Sequence, residues 1–250
     1  MTAKRIFFTN QQGFKLSAHI DIPESPRAFA LYAHCFTCSK NLKSIVRISR
    51  TCRESNIAVC RFDFTGIAES EGEFSDTTLS SNVQDVLDAA DYCAQEFAPI
   101  DLLIGHSLGG AAAILASEKI PSVKGLVTIA APSEPSHLGK LLGQARQSAL
   151  ENGTAQVKIA GNTYQLTREF FEDLEQNRIS QVLKRHALPI LIMHSPKDQT
   201  VLFEHAETLF SNASHPKSLI SLGNADHILS DEKDAIYTGR IIATWIERYL

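Results

Sequence analysis

The pattern of apolar and polar positions changes rhythm after the first two dozen residues of this chain. Arg5 to Thr9 and Gly13 to Ile22 alternate apolar with polar side chains on either side of Asn10-Gln11-Gln12, and a period of two predicts an antiparallel hairpin. Short, almost wholly apolar runs follow: Ala28 to Ala33, Ile57 to Phe62, Leu102 to Ile104, Gly125 to Ala130, Ile190 to Met193 and Ser218 to Leu222. Such runs predict strands buried on both faces. Helical periodicity fills the intervals near Asn41 to Arg53, Ser81 to Gln95, Leu108 to Glu118, Phe203 to Phe210 and Asp231 to Tyr249. Strands alternating with helices imply right-handed crossovers and a mostly parallel sheet with helices on both faces.

One interval is too long for this rhythm. Between Ala130 and Ile190 lie roughly sixty residues, against the handful that an ordinary connection needs. The interval reads as a helix (His137 to Asn152), a hairpin (Gln156 to Ile159, turn Ala160-Gly161-Asn162, Thr163 to Leu166) and a second helix (Thr167 to Lys184). The organisation expected is one domain over 1–250 with residues 133–187 inserted as a cap above the site. Its apolar residues Leu138, Leu141, Leu142, Phe170 and Phe171 suit either pocket lining or packing.

A chain of 250 residues that is 44% hydrophobic can bury a large core. Its 24 basic and 28 acidic residues leave a net charge of -4, and no basic run forms a stripe, so nucleic acid is not an expected partner. After Met1-Thr2-Ala3-Lys4-Arg5 only the three apolar residues Ile6, Phe7 and Phe8 precede Thr9, too few for a signal-peptide core, and no stretch reaches the length of a membrane span. The expectation is a cytoplasmic protein. Five cysteines, odd in number and scattered, fit reduced thiols better than a disulfide framework.

The chemistry centres on Gly105-His106-Ser107-Leu108-Gly109-Gly110, which joins a strand to a helix. A serine at the apex of so sharp a turn is strained and exposed, and the flanking glycines let strand and helix pass closely. Gly-x-Ser-x-Gly alone is a weak signal; its partners strengthen it. A serine nucleophile needs a histidine to take its proton and an acid to orient that histidine. Both are expected at the C-terminal ends of later strands. Asp198 follows the strand ending at Met193, and His227 follows the strand ending at Leu222. Glu204 is a weaker candidate for the acid, and Asp226, adjacent to His227, cannot easily reach its ring. His106 is a poor base because neighbouring side chains on a turn diverge; His106 and His194 are expected to touch substrate instead. For the oxyanion, the backbone N–H of Leu108 opens a helix, and the loop His34-Cys35-Phe36-Thr37 supplies a second donor at Phe36. Cys35 lines that loop, His34 braces it, and Asp63 reads as a structural turn-former.

With these residues the chain resembles the α/β-hydrolase superfamily over almost its whole length. More narrowly, His34-Cys35-Phe36-Thr37-Cys38-Ser39-Lys40, Arg61-Phe62-Asp63-Phe64-Thr65-Gly66, Ser70-Glu71-Gly72-Glu73-Phe74 and Gly105 to Gly110 resemble the hydrolase half of proteins that fuse an α/β-hydrolase to an OsmC-like domain. The resemblance implies an eight-stranded, mostly parallel sheet with an N-terminal antiparallel hairpin, a Ser107-Asp198-His227 triad and an ester-type substrate. The sequence given ends at Leu250, where such proteins continue into the OsmC-like domain, and it carries Ala68 where they usually have glycine.

The function expected is hydrolysis of small carboxylic esters or thioesters through an acyl-enzyme on Ser107, with no metal or cofactor. An aminopeptidase or amidase on the same fold is the alternative within hydrolases. From a different class, Cys35-Phe36-Thr37-Cys38 between a strand and a helix also fits thiol–disulfide exchange, which leaves Ser107, Asp198 and His227 without a task. If Ser107 is the nucleophile, the cysteine pair is expected to be dispensable for turnover.

Overall fold

In the computed structural model, which describes residues 2–159, 161–185 and 187–250, the alternating segments form the hairpin: β1 (Thr2–Thr9) pairs antiparallel with β2 (Lys15–Ile22). Ile6, Phe8, Leu16, Ala18 and Ile20 are buried while Phe7 faces solvent. The chain continues through β3 (Ala28–Ala33), α1 (Lys43–Glu54), β4 (Ile57–Phe62), α2 (Leu79–Glu96), β5 (Leu102–His106), α3 (Leu108–Ser117) and β6 (Gly125–Ile129). The long interval supplies α4 (Ser136–Leu141), α5 (Gly143–Asn152), β7 (Thr154–Ile159), β8 (Asn162–Thr167), α6 (Arg168–Gln176) and α7 (Ile179–Arg185). β9 (Ile190–His194), α8 (Glu204–Asn212), β10 (Lys217–Ser221) and α9 (Glu232–Ile246) complete it.

The eight-stranded sheet has the order β1-β2-β4-β3-β5-β6-β9-β10. β2 runs against both of its neighbours, and every later pairing is parallel. Alternate residues of each strand enter two cores. Leu31 and Ala33 of β3 pack under α2 and α3, whereas Ala28, Ala30 and Tyr32 pack under α1 and α9. The central strands β5, β6 and β9 are buried throughout, so their C-terminal ends form a rigid platform.

The interval between β6 and β9 departs from expectation in detail. The helix expected over His137 to Asn152 is two helices, broken at Leu142, where Gly139 and Gly143 weaken helical propensity on both sides. The helix expected over Thr167 to Lys184 likewise breaks at 177–178. The small hairpin forms between β7 and β8; Ala160, expected in its turn, lies outside the described residues. Among the described residues no helix is long and apolar enough to cross a membrane.

Candidate active site

β5 runs into α3 with only Ser107 between them. The Ser107 N–H donates to Ile129 O at 2.9 Å, which extends the β5–β6 ladder, and its own carbonyl accepts from the Gly110 N–H at 2.8 Å. One residue thus serves strand and helix at once. It does so at φ 54°, ψ −124°, a left-handed backbone that non-glycine residues adopt only when the surroundings impose it. Glycines permit the crowding: a Cβ on Gly105 would lie 2.4 Å from Gly109 O, and one on Gly109 2.2 Å from His34 O.

The structure brings Ser107, His227 and Asp198 together. His227 Nδ1 donates to Asp198 Oδ2 at 2.7 Å, which leaves Nε2 to accept from Ser107 Oγ at 3.1 Å. Neither competitor reaches this ring: Asp226 Oδ1 accepts from the Ser230 N–H, and Glu204 starts α8. Asp198 Oδ1 accepts from the N–H groups of Thr200 and Val201 at 2.8 and 3.0 Å. Burial pushes the Asp198 carboxyl up, but the His227 hydrogen bond and charge, with the amides of Val201 and Thr200, outweigh it and hold the group below its usual range. Asp198 is therefore a permanent anion aimed at an imidazole. The Ser195 hydroxyl donates to Gly223 O at 3.0 Å and so ties the Asp198 turn to the loop that carries His227.

His106 and His194, expected in contact with substrate, lie elsewhere. Both are buried behind the three central residues and neither lines the pocket. His106 Nε2 donates to His227 O at 2.8 Å and holds that loop from behind, while His194 Nε2 donates to Val201 O at 2.7 Å. Burial pushes His106 down to about 3, with the nearby His227 ring adding to it, and burial also lowers His194. They are neutral struts rather than substrate ligands. The correction has a simple cause: in a strand that ends at a site, side chains alternate between the pocket and the packed interior.

On the other wall, His34 Nδ1 donates to Cys35 O at 2.7 Å, and His34 Nε2 accepts from the Phe64 N–H at 3.3 Å. Because a trans peptide points its N–H opposite its C=O, fixing the Cys35 carbonyl turns the Phe36 N–H the other way. Phe36 and Leu108 both line the pocket with Ser107, and among the described residues neither of their N–H groups donates to any protein acceptor. Two free amides beside a serine are what an oxyanion needs. Cys35 also lines this pocket.

Three features were not expected. Cys35 and Cys38 are joined in a disulfide, contrary to the reading of all cysteines as reduced thiols; Cys52, Cys60 and Cys93 are free and buried. The odd count concealed a local pair whose Cα atoms a tight turn holds 5.3 Å apart. Lys40, fully buried, donates from Nζ to Asp63 Oδ2 and Glu69 Oε2 at 2.6 and 2.5 Å, and from its N–H to Asp63 Oδ1. Asp63 thus anchors the far end of the Phe36 loop. Finally, the Ser133 N–H donates to His205 Nδ1, His205 Nε2 to His137 Nδ1, and His137 Nε2 to Thr200 O. This relay ties α4 to the turn of Asp198; burial, then the His137 ring, pushes His205 down to about 4.

The pocket over Ser107 has a volume of about 760 Å³. Leu138, Leu141, Leu142 and Tyr164 from the interval between β6 and β9 form its outer wall. Phe170 and Phe171 belong to the core instead, and Phe170 stacks on Phe36 at 5.5 Å. No Lys, Arg, Asp or Glu lines the pocket among the described residues. No group of three or more His, Cys, Asp or Glu side chains among them is arranged to hold a metal ion.

A model of the alpha/beta hydrolase family matches residues 31–246. The crystal structure of the esterase domain from a Rhodothermus marinus protein has 39% sequence identity and a TM-score of 0.82, covering 100% of this chain and 99% of that one. The uncharacterized protein YfhR of Escherichia coli (strain K12) is 24% identical over 247 residues, covering 96% of this chain and 80% of that protein. The human mitochondrial palmitoyl-protein thioesterase ABHD10 is 26% identical over 196 residues, 76% of this chain and 58% of that protein.

Proposed function

The chain belongs to the alpha/beta hydrolase family, and on that premise we propose that it is a serine hydrolase of carboxylic esters or thioesters. His227 takes the Ser107 proton as Oγ attacks the acyl carbon, and Asp198 stabilises the imidazolium that results. The Phe36 and Leu108 amides receive the oxyanion. His227 then protonates the leaving alkoxide or thiolate, and a water activated by the same ring releases the acyl group from Ser107. The observation that carries this reading is the unbroken hydrogen-bonded line from Asp198 through His227 to Ser107, ending in a pocket with two unused amides. The likeness to an esterase domain and to a thioesterase supports the same bond class.

The lining favours an uncharged, largely apolar acyl group of small-molecule size as substrate. A carboxylate carried into this pocket would lose hydration with no cation to replace it. We expect a butyryl p-nitrophenyl ester to exceed a succinyl monoester of the same alcohol by about 10-fold or more in kcat/KM, since each decade corresponds to ~1.4 kcal/mol of unreplaced solvation. Steady-state rates on an acyl series measure this; equal rates for both would contradict the assignment of the pocket as the acyl site.

A further inference from the structure

The Cys35–Cys38 disulfide lies within the loop that is to receive the oxyanion. Both cysteines line the pocket together with Ser107 and His227. Between them stand only Phe36, whose N–H is the proposed donor, and Thr37, at φ 59°. A β-branched residue in left-handed backbone is an outlier that something must hold in place. The Cys38 N–H donates to Cys35 O at 3.1 Å, so the disulfide closes around the same peptide group that orients the Phe36 amide. None of the remaining thiols lines the pocket. Cys52, Cys60 and Cys93 are buried, burial pushes Cys52 up to about 12, and the hydrogen bond with Cys93 together with burial raises Cys60 well above its usual value.

We propose that this disulfide is a thiol-reactive brace of the oxyanion loop, opened by a small-molecule thiol that enters the acyl pocket, and that opening it slows hydrolysis. The proposal rests on the serine-hydrolase reading. Cys38 is half-buried on the pocket wall and Cys35 is fully buried, so the incoming thiolate attacks Cys38 Sγ. An S–S bond forms between reagent and Cys38, the Cys35–Cys38 bond breaks, and Cys35 leaves as thiolate and takes up a proton. A second thiolate attacks the reagent sulfur of the mixed disulfide, giving the free disulfide of the reagent and the Cys38 thiolate. Two small thiols are oxidised and the protein disulfide is reduced.

Two sulfurs that are no longer bonded part to van der Waals contact. The Cys35 carbonyl is pinned by His34 and cannot follow freely, so the movement falls on Phe36, Thr37 and Cys38. Loss of alignment at an oxyanion donor lowers kcat, because the donor acts on charge that develops only in the transition state; KM, set by the apolar walls, moves little.

The test uses the full chain, oxidised with a small-molecule disulfide or reduced with dithiothreitol and then freed of reagent. The expected result is a kcat for p-nitrophenyl butyrate about 10-fold or more lower in the reduced protein, with KM within about 3-fold. Reoxidation restores it. In place of the dispensability expected from sequence, Cys35→Ser/Cys38→Ser should show the lower kcat in both treatments, without loss of the Ser107 chemistry itself, and no response to either. Equal kcat in the two states, a rise on reduction, failure of the pair to oxidise, or full kcat in the double variant would each overturn the proposal. Ser107→Ala, assayed in both states, separates the two failures: turnover that survives it overturns the serine-hydrolase reading itself, whatever the redox response.

Discussion

Ser107→Ala is expected to lower kcat on a short p-nitrophenyl ester by roughly five to six orders of magnitude, with the urea-unfolding midpoint almost unchanged. The two effects separate because the turn and the hydroxyl have different supports. The left-handed backbone at position 107 is imposed by the Ile129 carbonyl on one side and the Gly110 N–H on the other, and alanine meets the same steric limits there as serine. What alanine lacks is Oγ, the atom 3.1 Å from His227 Nε2. The ring, the Asp198 carboxylate and both amides then remain without a nucleophile to activate. Residual rate above the uncatalysed reaction is that of a pocket that still binds the ester and stabilises its oxyanion.

Gly109→Ala is the second large effect, and here opposing contributions must be compared. In an exposed helix this change would stabilise by about 1 kcal/mol through propensity. At Gly109 the new Cβ would sit 2.2 Å from His34 O and 2.5 Å from Ala33 O, both backbone atoms. α3 cannot retreat, because Gly105 and Gly110 leave no slack: Cβ atoms there would lie 2.4 Å from Gly109 O and 2.6 Å from Ala131 Cβ. Overpacking against backbone costs about 3 kcal/mol or more and dominates. A variant that does fold relieves the clash by moving the His34–Phe36 loop, so the expected outcome is a lowered unfolding midpoint together with a kcat loss of about 100-fold. Thermal melts and ester kinetics on the same preparation measure both; a variant with native melting and native kcat would show that this close approach is not what positions the loop.

The fold was legible because its signals are local and repetitive. Apolar runs such as Ile57 to Phe62 and Ile190 to Met193 require two covered faces, and strands buried on both sides with helices between them have few arrangements. Ser107, Asp198 and His227 were legible for a related reason: each stands at the end of a strand, where topology converts chain order into spatial proximity. Residues defined by side-chain direction were not. His106 and His194 stand beside the site in sequence yet point into the packed interior, and alternation along a strand end decides this. The break at Leu142 and the relay from Ser133 through His205 and His137 to Thr200 depend on how the interval between β6 and β9 folds back, which no local period encodes.

The loop around Phe36 shows the same limit more sharply. Its motif could be read as a donor loop or as a redox pair, and the two readings looked like alternatives. The disulfide and the free Phe36 amide occupy one turn, and Lys40 locks its far end through a buried ion pair with Asp63 and a second pair with the solvent-exposed Glu69. A buried lysine is tolerated only when its charge is matched, and Asp63 and Glu69 match it here. The carboxylate that sequence assigned to a simple turn is therefore an anchor of the Phe36 loop.

The central claim, that Ser107 carries the acyl group, has a direct measurement. The protein is mixed with a short p-nitrophenyl ester, quenched in acid within the first turnovers, digested, and the peptide spanning Gly105 to Gly110 is weighed by mass spectrometry. An acyl adduct on Ser107, with a burst of p-nitrophenol equal to the active enzyme, is the result predicted. Steady turnover with no adduct on Ser107, or with the acyl group on a cysteine of the Phe36 loop, would contradict it.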